Sequence, residues 1–253
     1  MVQGADGAAV STQPEGRIGG PQAAGDQPPG LPLVYPVCLT VAGRRCMVFG
    51  GGEIAERKVL SLLECGARVT VVAPEARPRL HALAAEGQIT LELRPYRKGE
   101  LASRPFLVFA ATNDGAVHQQ LWEEAEASEI LINVVDVPQL CNFIMPSILR
   151  RGDLCIAVST GGRSPALARK IRLELEQQFA EDFGELLLRV SDVREFVKAR
   201  MQPGHAREAM LSTLVEQEIL DLLRHNRVEE VKRRYLDRLA DHPAALPGAG
   251  ERT

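Results

Sequence analysis

Three consecutive glycines constrain the fold of this chain more than any other feature of its sequence. An apolar run ends at Phe49, then Gly50, Gly51 and Gly52 follow, and a helical pattern begins directly after them. With Ala55 in the third place, these residues fit a G-x-G-x-x-G/A fingerprint, in which small residues let the backbone approach a pyrophosphate. The pattern predicts a strand, a tight turn and a helix that together bind a dinucleotide, although a bare glycine triplet also occurs in simple turns.

Charge and hydropathy exclude two classes of partner. The chain has 253 residues and a formal net charge of -3, whereas neutralising the phosphates of nucleic acid requires a concentrated basic face. No apolar run approaches the roughly 20 residues of a membrane span, and the start of the chain lacks a secretory signal pattern. We therefore expect no nucleic-acid partner, no membrane partner and a cytoplasmic location.

Cysteines and histidines number five each and are scattered along the chain. No C-x-x-C or H-x-x-x-H spacing occurs, so the sequence predicts no fixed metal site. We expect most of the cysteines to be buried, as small apolar residues in a reducing compartment. His118 is predicted to lie on the surface of a helix, with an accessory role in proton transfer or metal contact as the alternative.

A second apolar run, rich in β-branched residues, follows the first helix and predicts another parallel strand buried on both faces. This strand leads into Pro74 and Glu75. Glu75 lies slightly beyond the usual separation of about 20 residues for the acid that binds an adenosine ribose. A ribose ligand and a solvated loop carboxylate are both compatible with this position.

Two later apolar runs also end in polar side chains. The first is followed by Thr112, Asn113 and Asp114, and the second by Asp136. In a doubly wound sheet ligands bind beyond the carboxyl ends of the strands, so Thr112 and Asn113 are expected to face the ligand. Asp114 is predicted to cap a helix. Asp136 is a candidate functional carboxylate, and a cap of a turn is the alternative.

The second half of the chain changes character. Two strand-like pieces flank Arg150 to Gly152 without a helix between them, which predicts an antiparallel pair outside the parallel sheet. Ser164 followed by Pro165 is a strong helix start. Interruptions at Gly184, at Pro203 with Gly204 and at Asn226 then predict about four helices.

Three segments of the chain are informative in combination: Val48 to Lys58, Asn133 to Asp136 with Asn142 to Ser147, and Ala157 to Ala168. Together they resemble the precorrin-2 dehydrogenase module of sirohaem synthases, a family of precorrin-2 dehydrogenases and sirohydrochlorin ferrochelatases. The resemblance covers roughly Leu33 to Arg200 and implies NAD⁺-dependent oxidation of precorrin-2 to sirohydrochlorin, a tetrapyrrole. Some members also insert Fe²⁺ in the same pocket, so the resemblance leaves Fe²⁺ open as a second substrate.

The resemblance implies an α/β fold in which a Rossmann NAD-binding domain is followed by a small α+β dimerisation segment and an α-helical domain of a homodimer. Too few residues follow Arg200 for the methyltransferase domain of some members, so we expect precorrin-2 to come from a separate enzyme. The predicted organisation is a disordered tail over 1–30, the Rossmann domain over 31–145, the dimerisation segment over 146–177, the helical domain over 178–242 and a disordered tail over 243–253.

Roles follow from the resemblance at matching positions. Asp136 matches the family's essential aspartate, a base for the protons lost as hydride leaves or as a metal enters. Gly50, Gly52, Glu53 and Ile54 match the phosphate side of the cofactor site, Pro74 and Glu75 the adenosine side, and Thr112 and Asn113 the nicotinamide side. Asn133, Thr160 and Arg163 are the candidate contacts for substrate. Arg163, Arg169, Lys170 and Arg172 are candidates for a cationic rim that meets substrate carboxylates, and each also fits a solvated helix face.

Two rival hypotheses remain open at this point. A noncatalytic NAD-sensing Rossmann module explains the glycine turn but gives no reason for Asp136 or for the Asn142 to Ala168 block. A chelatase-only homologue would have a vestigial nucleotide site, which the intact glycine turn disfavours.

Overall fold

The structure, a computed structural model, describes residues 34–240. Within that range five parallel strands form one sheet in the order β3-β2-β1-β4-β5. The tails predicted over 1–30 and 243–253 lie outside the described residues. The sheet and its helices comprise β1 (Arg45–Phe49), α1 (Glu53–Glu64), β2 (Arg68–Ala73), α2 (Pro78–Ala85), β3 (Ile89–Leu93), β4 (Leu107–Ala110), α3 (Gly115–Ala127) and β5 (Leu131–Val134).

Successive side chains of β1 point to opposite faces of the sheet, and both faces are covered by helices. Val48 pairs with Val71 and Phe109 on the face that packs against α1 and α2. The next residue, Phe49, belongs to the apolar cluster on the other face, with Leu121 of α3. Such strands are apolar throughout because neither face meets water. The predicted doubly wound α/β fold is confirmed. Because β2 and β4 lie on opposite sides of β1, the order in which strands are added to the sheet switches direction at β1, beside the glycine turn.

The outer edge of β5 is covered by the loop that follows it. The side chain of Asn142 accepts a hydrogen bond from Ile132 N at 2.7 Å and donates one to Ile130 O at 2.9 Å. Cys141 Sγ accepts from Val134 N at 3.2 Å. These side chains hydrogen-bond to the backbone groups with which a sixth strand would otherwise pair.

Beyond the sheet, the predicted antiparallel pair is confirmed as β6 (Ser147–Arg151) and β7 (Leu154–Val158). Within the described part of the chain five α-helices follow, where about four were predicted. They are α4 (Pro165–Gln178), α5 (Phe183–Lys198), α6 (His205–Ser212), α7 (Gln217–Arg224) and α8 (Val228–Ala240).

The helix interruption predicted at Gly184 is present but lies slightly earlier, between the end of α4 at Gln178 and the start of α5 at Phe183. Gly184 itself is the second residue of α5, where a Cβ would come within 3.1 Å of the carbonyl carbon of Arg151 and of Gly152 N. The absence of a side chain therefore lets α5 pack on the turn between β6 and β7. The additional helix arises because a 3₁₀ turn at Thr213–Val215 separates α6 from α7.

The helices α5 to α8 enclose an apolar cluster of their own, separate from the two clusters of the sheet. Its largest member is Tyr235, which is fully buried and whose hydroxyl lies 2.6 Å from Thr213 Oγ1. No helix within residues 34–240 combines the length and the apolar character that crossing a membrane requires. The cytoplasmic location stays a prediction.

The expectation that most cysteines are buried was wrong. Cys46 is buried in β1 and Cys141 is half-buried, whereas Cys38, Cys65 and Cys155 are exposed. Burial raises the pKa of the Cys46 thiol to about 11, which fits a small apolar core residue without reactivity.

We predict that Asn142→Ala lowers the free energy of unfolding by about 2 kcal/mol, because two hydrogen bonds to the edge of β5 are lost at roughly 1 kcal/mol each. Trp122 is the single tryptophan of the chain and packs against the core of the sheet, so its fluorescence during urea denaturation reports on this region. The matched change Asn113→Ala, at an exposed residue, is expected to leave stability unchanged. Equal effects of the two changes would contradict the assigned role of Asn142.

Candidate functional site

Two of the three glycines are required by the protein's own backbone. Gly50 has φ +122°, and a Cβ there would lie 2.2 Å from Ala111 O, the oxygen that follows β4. A Cβ on Gly51 would lie 2.0 Å from Glu75 O, in the loop that follows β2. The turn is thus held between the ends of the two strands that flank β1.

Gly52 differs from its neighbours because a Cβ there would meet no atom within 4 Å. It is the N-cap of α1 and supplies no side chain to the free N–H groups of the first helical turn. These groups and the positive end of the helix dipole suit an anion, and a small residue leaves the approach open. The turn therefore fits the pyrophosphate of a dinucleotide.

Glu53 and Ile54 lie in the first turn of α1 as the sequence predicts, with Glu53 exposed and Ile54 half-buried. Arg77, from the loop after β2, lies beside this helical turn. Its Nη1 lies 3.8 Å from Glu53 Oε2, and its Nε lies 3.0 Å from Glu56 Oε2. The N–H of Arg77 is not aligned with that oxygen, so the Glu56 contact is an ion pair without a hydrogen bond.

The loop after β2 lies against the glycine turn. Pro74 and Glu75 are both exposed at the carboxyl end of β2. Arg77 N donates a hydrogen bond to Gly51 O at 3.0 Å, which fixes this loop to the turn. Because Glu75 is exposed, its carboxylate faces solvent beside the predicted adenosine position.

The end of β4 adjoins the turn from the other side. Asp114 caps α3 as predicted, with Oδ1 accepting from Ala116 N at 2.9 Å and Val117 N at 3.3 Å. Thr112 is half-buried, and its Oγ1 accepts a hydrogen bond from Asp114 N at 3.2 Å. Asn113 between them is exposed. Thr112 thus helps to start α3 while lying beside Gly50.

Asp136 follows β5 and is exposed in a left-handed conformation with φ +60°. Such a φ is uncommon for a residue with a side chain and persists only where the surroundings hold it. Val135 N bonds to Ala110 O at 2.9 Å, and Val137 N bonds to Val134 O at 3.3 Å. These bonds on either side of Asp136 present its carboxylate to solvent beyond the end of the sheet.

The side chain of Asn133 is hydrogen-bonded to the same loop. Its Nδ2 donates to Phe143 O at 3.0 Å, and Cys141 Sγ lies 3.6 Å away. Phe143 in turn packs edge-on against Phe109 of β4. The side chain of Asn133 is thus engaged in positioning the loop that carries Asp136.

Thr160 and Arg163 lie in the turn between β7 and α4. Thr160 Oγ1 accepts from Ser164 N at 3.1 Å and donates to Ser164 O at 3.0 Å, so this hydroxyl stabilises the start of α4. Arg163 is exposed. Further along α4, Arg172 pairs with Glu176, and the Lys170 ammonium lies 3.9 Å from Glu174.

His118 lies in a different environment from the one predicted, and Lys58 has a perturbed amine that the sequence did not indicate. His118 was predicted to be on the surface, but it is 7% exposed and its Nε2 is buried without a hydrogen-bond partner. Its position three residues before Leu121 and seven before Ala125 places it on the inner stripe of α3, a signal already present in the helical period.

Lys58 was not among the predicted site residues. Burial, and then the charge of Arg57, lower the pKa of its amine. The Lys58 Nζ lies 5.2 Å from the ring centroid of Phe109.

No group of three or more His, Cys, Asp or Glu side chains within residues 34–240 is arranged to hold a metal ion. The strand ends therefore gather groups suited to a dinucleotide and one exposed carboxylate, Asp136. Chemically, this arrangement can bind a nucleotide cofactor and take up a proton from a ligand beside it.

Family models match two adjacent parts of the chain. Residues 37–147 match a family described as "Putative NAD(P)-binding". Residues 151–178 match a family described as "Sirohaem biosynthesis protein central". The first match spans the parallel sheet, and the second spans most of the β6, β7 and α4 region.

Curated relatives carry the name siroheme synthase. That of Methylobacillus flagellatus is 43% identical over 172 residues, covering 68% of this chain and 37% of its own length. That of Citrobacter koseri is 37% identical over 221 residues, covering 85% of this chain and 48% of its own length. The chain therefore spans less than half the length of these relatives.

A solved structure, that of the precorrin-2 dehydrogenase SirC, is similar in fold and sequence. It superposes with a TM-score of 0.68 at 26% sequence identity. The match covers 80% of this chain and 100% of that protein.

Substitutions in the glycine turn are expected to separate its structural members from its open one. Gly51→Ala should lower the free energy of unfolding by more than about 3 kcal/mol, since a Cβ would overlap backbone atoms that cannot yield. Gly52→Ala should cost less than about 1 kcal/mol, the usual scale of an N-cap change. Urea denaturation followed by Trp122 fluorescence measures both, and similar losses in the two variants would refute the distinction.

Proposed function

The chain belongs to the family of the sirohaem synthase dehydrogenase module, and from that premise we propose that it oxidises precorrin-2 to sirohydrochlorin with NAD⁺. Three strand ends support this proposal by bringing the glycine turn, Thr112 and Asp136 to one edge of the sheet. The observation that carries it is the open N-cap at Gly52. The neighbouring Gly50 and Gly51 are explained by close contacts with the protein backbone, whereas Gly52 has no such contact. A noncatalytic NAD sensor would need the turn but not an exposed aspartate held with φ +60°.

The cofactor is held, in this proposal, by the residues around the glycine turn. Gly50, Gly52, Glu53 and Ile54 contact the phosphate side, Pro74 and Glu75 the adenosine side, and Thr112 and Asn113 the nicotinamide side. The nicotinamide ring supplies the chemistry of accepting a hydride. We favour NAD⁺ over NADP⁺ because Glu75, whose side chain is free at the end of β2, can accept hydrogen bonds from a ribose diol and would repel a 2′-phosphate.

Asp136 acts as the general base. Removing a hydride from the macrocycle leaves a proton to be lost, and a carboxylate at the strand edge can accept it and pass it to water. The exposure of Asp136 supports this role because proton exchange with solvent is direct. Asn133 acts as a positioning residue, since its amide fixes the loop around Asp136.

Substrate carboxylates are met, in this proposal, by Arg163 and Thr160 in the turn that precedes α4. Both lie on the β6, β7 and α4 segment, which exposes apolar side chains: Ile148 is 38% exposed, Leu167 49% and Leu173 44%. Of the fourteen residues in α4 only Ala168 is buried. We propose that a second copy of the chain covers this surface, so that residues 146–177 form the dimerisation segment between a Rossmann domain over 31–145 and a helical domain over 178–242.

We predict that Asp136→Asn lowers the rate of sirohydrochlorin formation at least about 100-fold, the usual lower scale for loss of a general base, while leaving NAD⁺ affinity unchanged. The assay follows the absorbance of purified protein with precorrin-2 and NAD⁺, and calorimetry gives the affinity. Asp237→Asn, at an exposed position on α8, is the matched control and should retain full activity.

Full activity of Asp136→Asn would refute the base assignment. If the wild-type protein binds NAD⁺ but forms no sirohydrochlorin, the dehydrogenase proposal fails and the sensor hypothesis replaces it. Parallel reactions of sirohydrochlorin with Fe²⁺ or Co²⁺ test metal as a second substrate, because only chelatase activity gives the metallated product.

We further predict that Gly52→Ala weakens NAD⁺ binding about tenfold while the protein stays folded, because a methyl group would enter the space through which the phosphates approach. Gly115→Ala is the matched control, since Gly115 also begins a helix and also has open space around it. Calorimetric titration with NAD⁺ measures the effect. Unchanged affinity in Gly52→Ala would place the pyrophosphate elsewhere.

A further inference from the structure

Arg77 lies where an arginine decides between two dinucleotides. It follows Glu75 by two residues, in the loop that ends β2, and an arginine near this position commonly accommodates the 2′-phosphate of NADP⁺. On sequence alone, Glu75 therefore favours NAD⁺ while Arg77 favours NADP⁺. The conflict is resolved by what the guanidinium contacts.

The guanidinium of Arg77 is turned onto the first helical turn of α1. Nε lies 3.0 Å from Glu56 Oε2, and Nη1 lies 3.8 Å from Glu53 Oε2. The backbone of Arg77 is fixed as well, by its hydrogen bond to Gly51 O. Both carboxylates thus hold Arg77 over α1.

Of the two carboxylates, Glu56 is the closer to Arg77 and the more buried. Its side chain is only 13% exposed, whereas that of Glu53 is 72% exposed. A carboxylate that is largely out of water needs an opposite charge, and Glu56 Oε2 has no hydrogen bond that would replace Arg77. Moving the guanidinium to a 2′-phosphate would leave this oxygen uncompensated.

We propose that the Glu56 and Glu53 carboxylates withhold Arg77 from the adenosine side of the site and so make the chain selective for NAD⁺ over NADP⁺. This inference rests on the proposed dinucleotide function. Glu75 acts in the same direction by repelling a 2′-phosphate, so the selectivity has two independent sources. Glu56 and Arg77 determine specificity without touching the NAD⁺ cofactor.

Calorimetric titration with NAD⁺ and NADP⁺ tests the proposal on the wild type, four test variants and one control variant. Glu56→Gln releases Arg77, Glu56→Gln with Arg77→Ala removes the released group, and Glu75→Ser with and without Glu56→Gln removes the competing repulsion. Glu64→Gln is the matched control, because Glu64 lies exposed at the far end of the same helix. Urea denaturation verifies that each variant is folded.

The wild type should bind NADP⁺ at least about tenfold more weakly than NAD⁺. Glu56→Gln should tighten NADP⁺ binding about tenfold, the scale of one hydrogen bond to a charged group, with little change for NAD⁺. The gain should vanish when Arg77→Ala is added, and Glu64→Gln should show none.

Equal wild-type affinities for the two cofactors would overturn the proposal. So would a Glu56→Gln change that fails to tighten NADP⁺ binding in both the wild-type and the Glu75→Ser backgrounds, or a gain that survives Arg77→Ala. A wild-type protein that binds neither nucleotide would instead refute the proposed cofactor function.

Discussion

The close contact of the glycine turn with the backbones on either side of it is the constraint on which the candidate site depends. Gly50 packs against the carbonyl of Ala111, and Gly51 packs against the carbonyl of Glu75, at distances that no side chain could share. The same contacts draw the loops after β2 and β4 toward the start of α1. Because these loops carry Glu75, Arg77 and Thr112, the turn both leaves room for a dinucleotide and positions the groups around it.

A second constraint acts at the outer edge of the sheet. A parallel strand at an edge exposes unpaired backbone groups, and here the side chains of Asn142 and Cys141 satisfy them instead of another strand. To return along β5 the chain must reverse within a few residues, and Asp136 adopts a left-handed conformation in that reversal. The exposed carboxylate is thus a consequence of how the edge is closed, and the hydrogen bonds of the loop hold it in place.

The remaining half of the chain is organised around a different core. The clusters of the sheet share no residue with the cluster of α5 to α8, and β6, β7 and α4 between them bury little apolar surface. Gly184 permits one close contact, between α5 and the turn of β6 and β7. This segment has little core of its own and leaves Leu167 and Leu173 exposed, which is the basis of the proposal that a second copy of the chain covers it.

The sequence by itself determined the alternation of strands and helices in the parallel sheet, the glycine turn, the cap at Asp114 and the position of Asp136 at a strand end, because these follow from local backbone preference and hydrophobic period. It also contained the inner position of His118, in the same period as Leu121. Only the tertiary structure decided that Gly51 is indispensable, that Gly184 joins two elements and that Arg77 turns toward Glu56. Each of these depends on which distant backbone or charge lies within a few ångströms, and no local pattern specifies that distance.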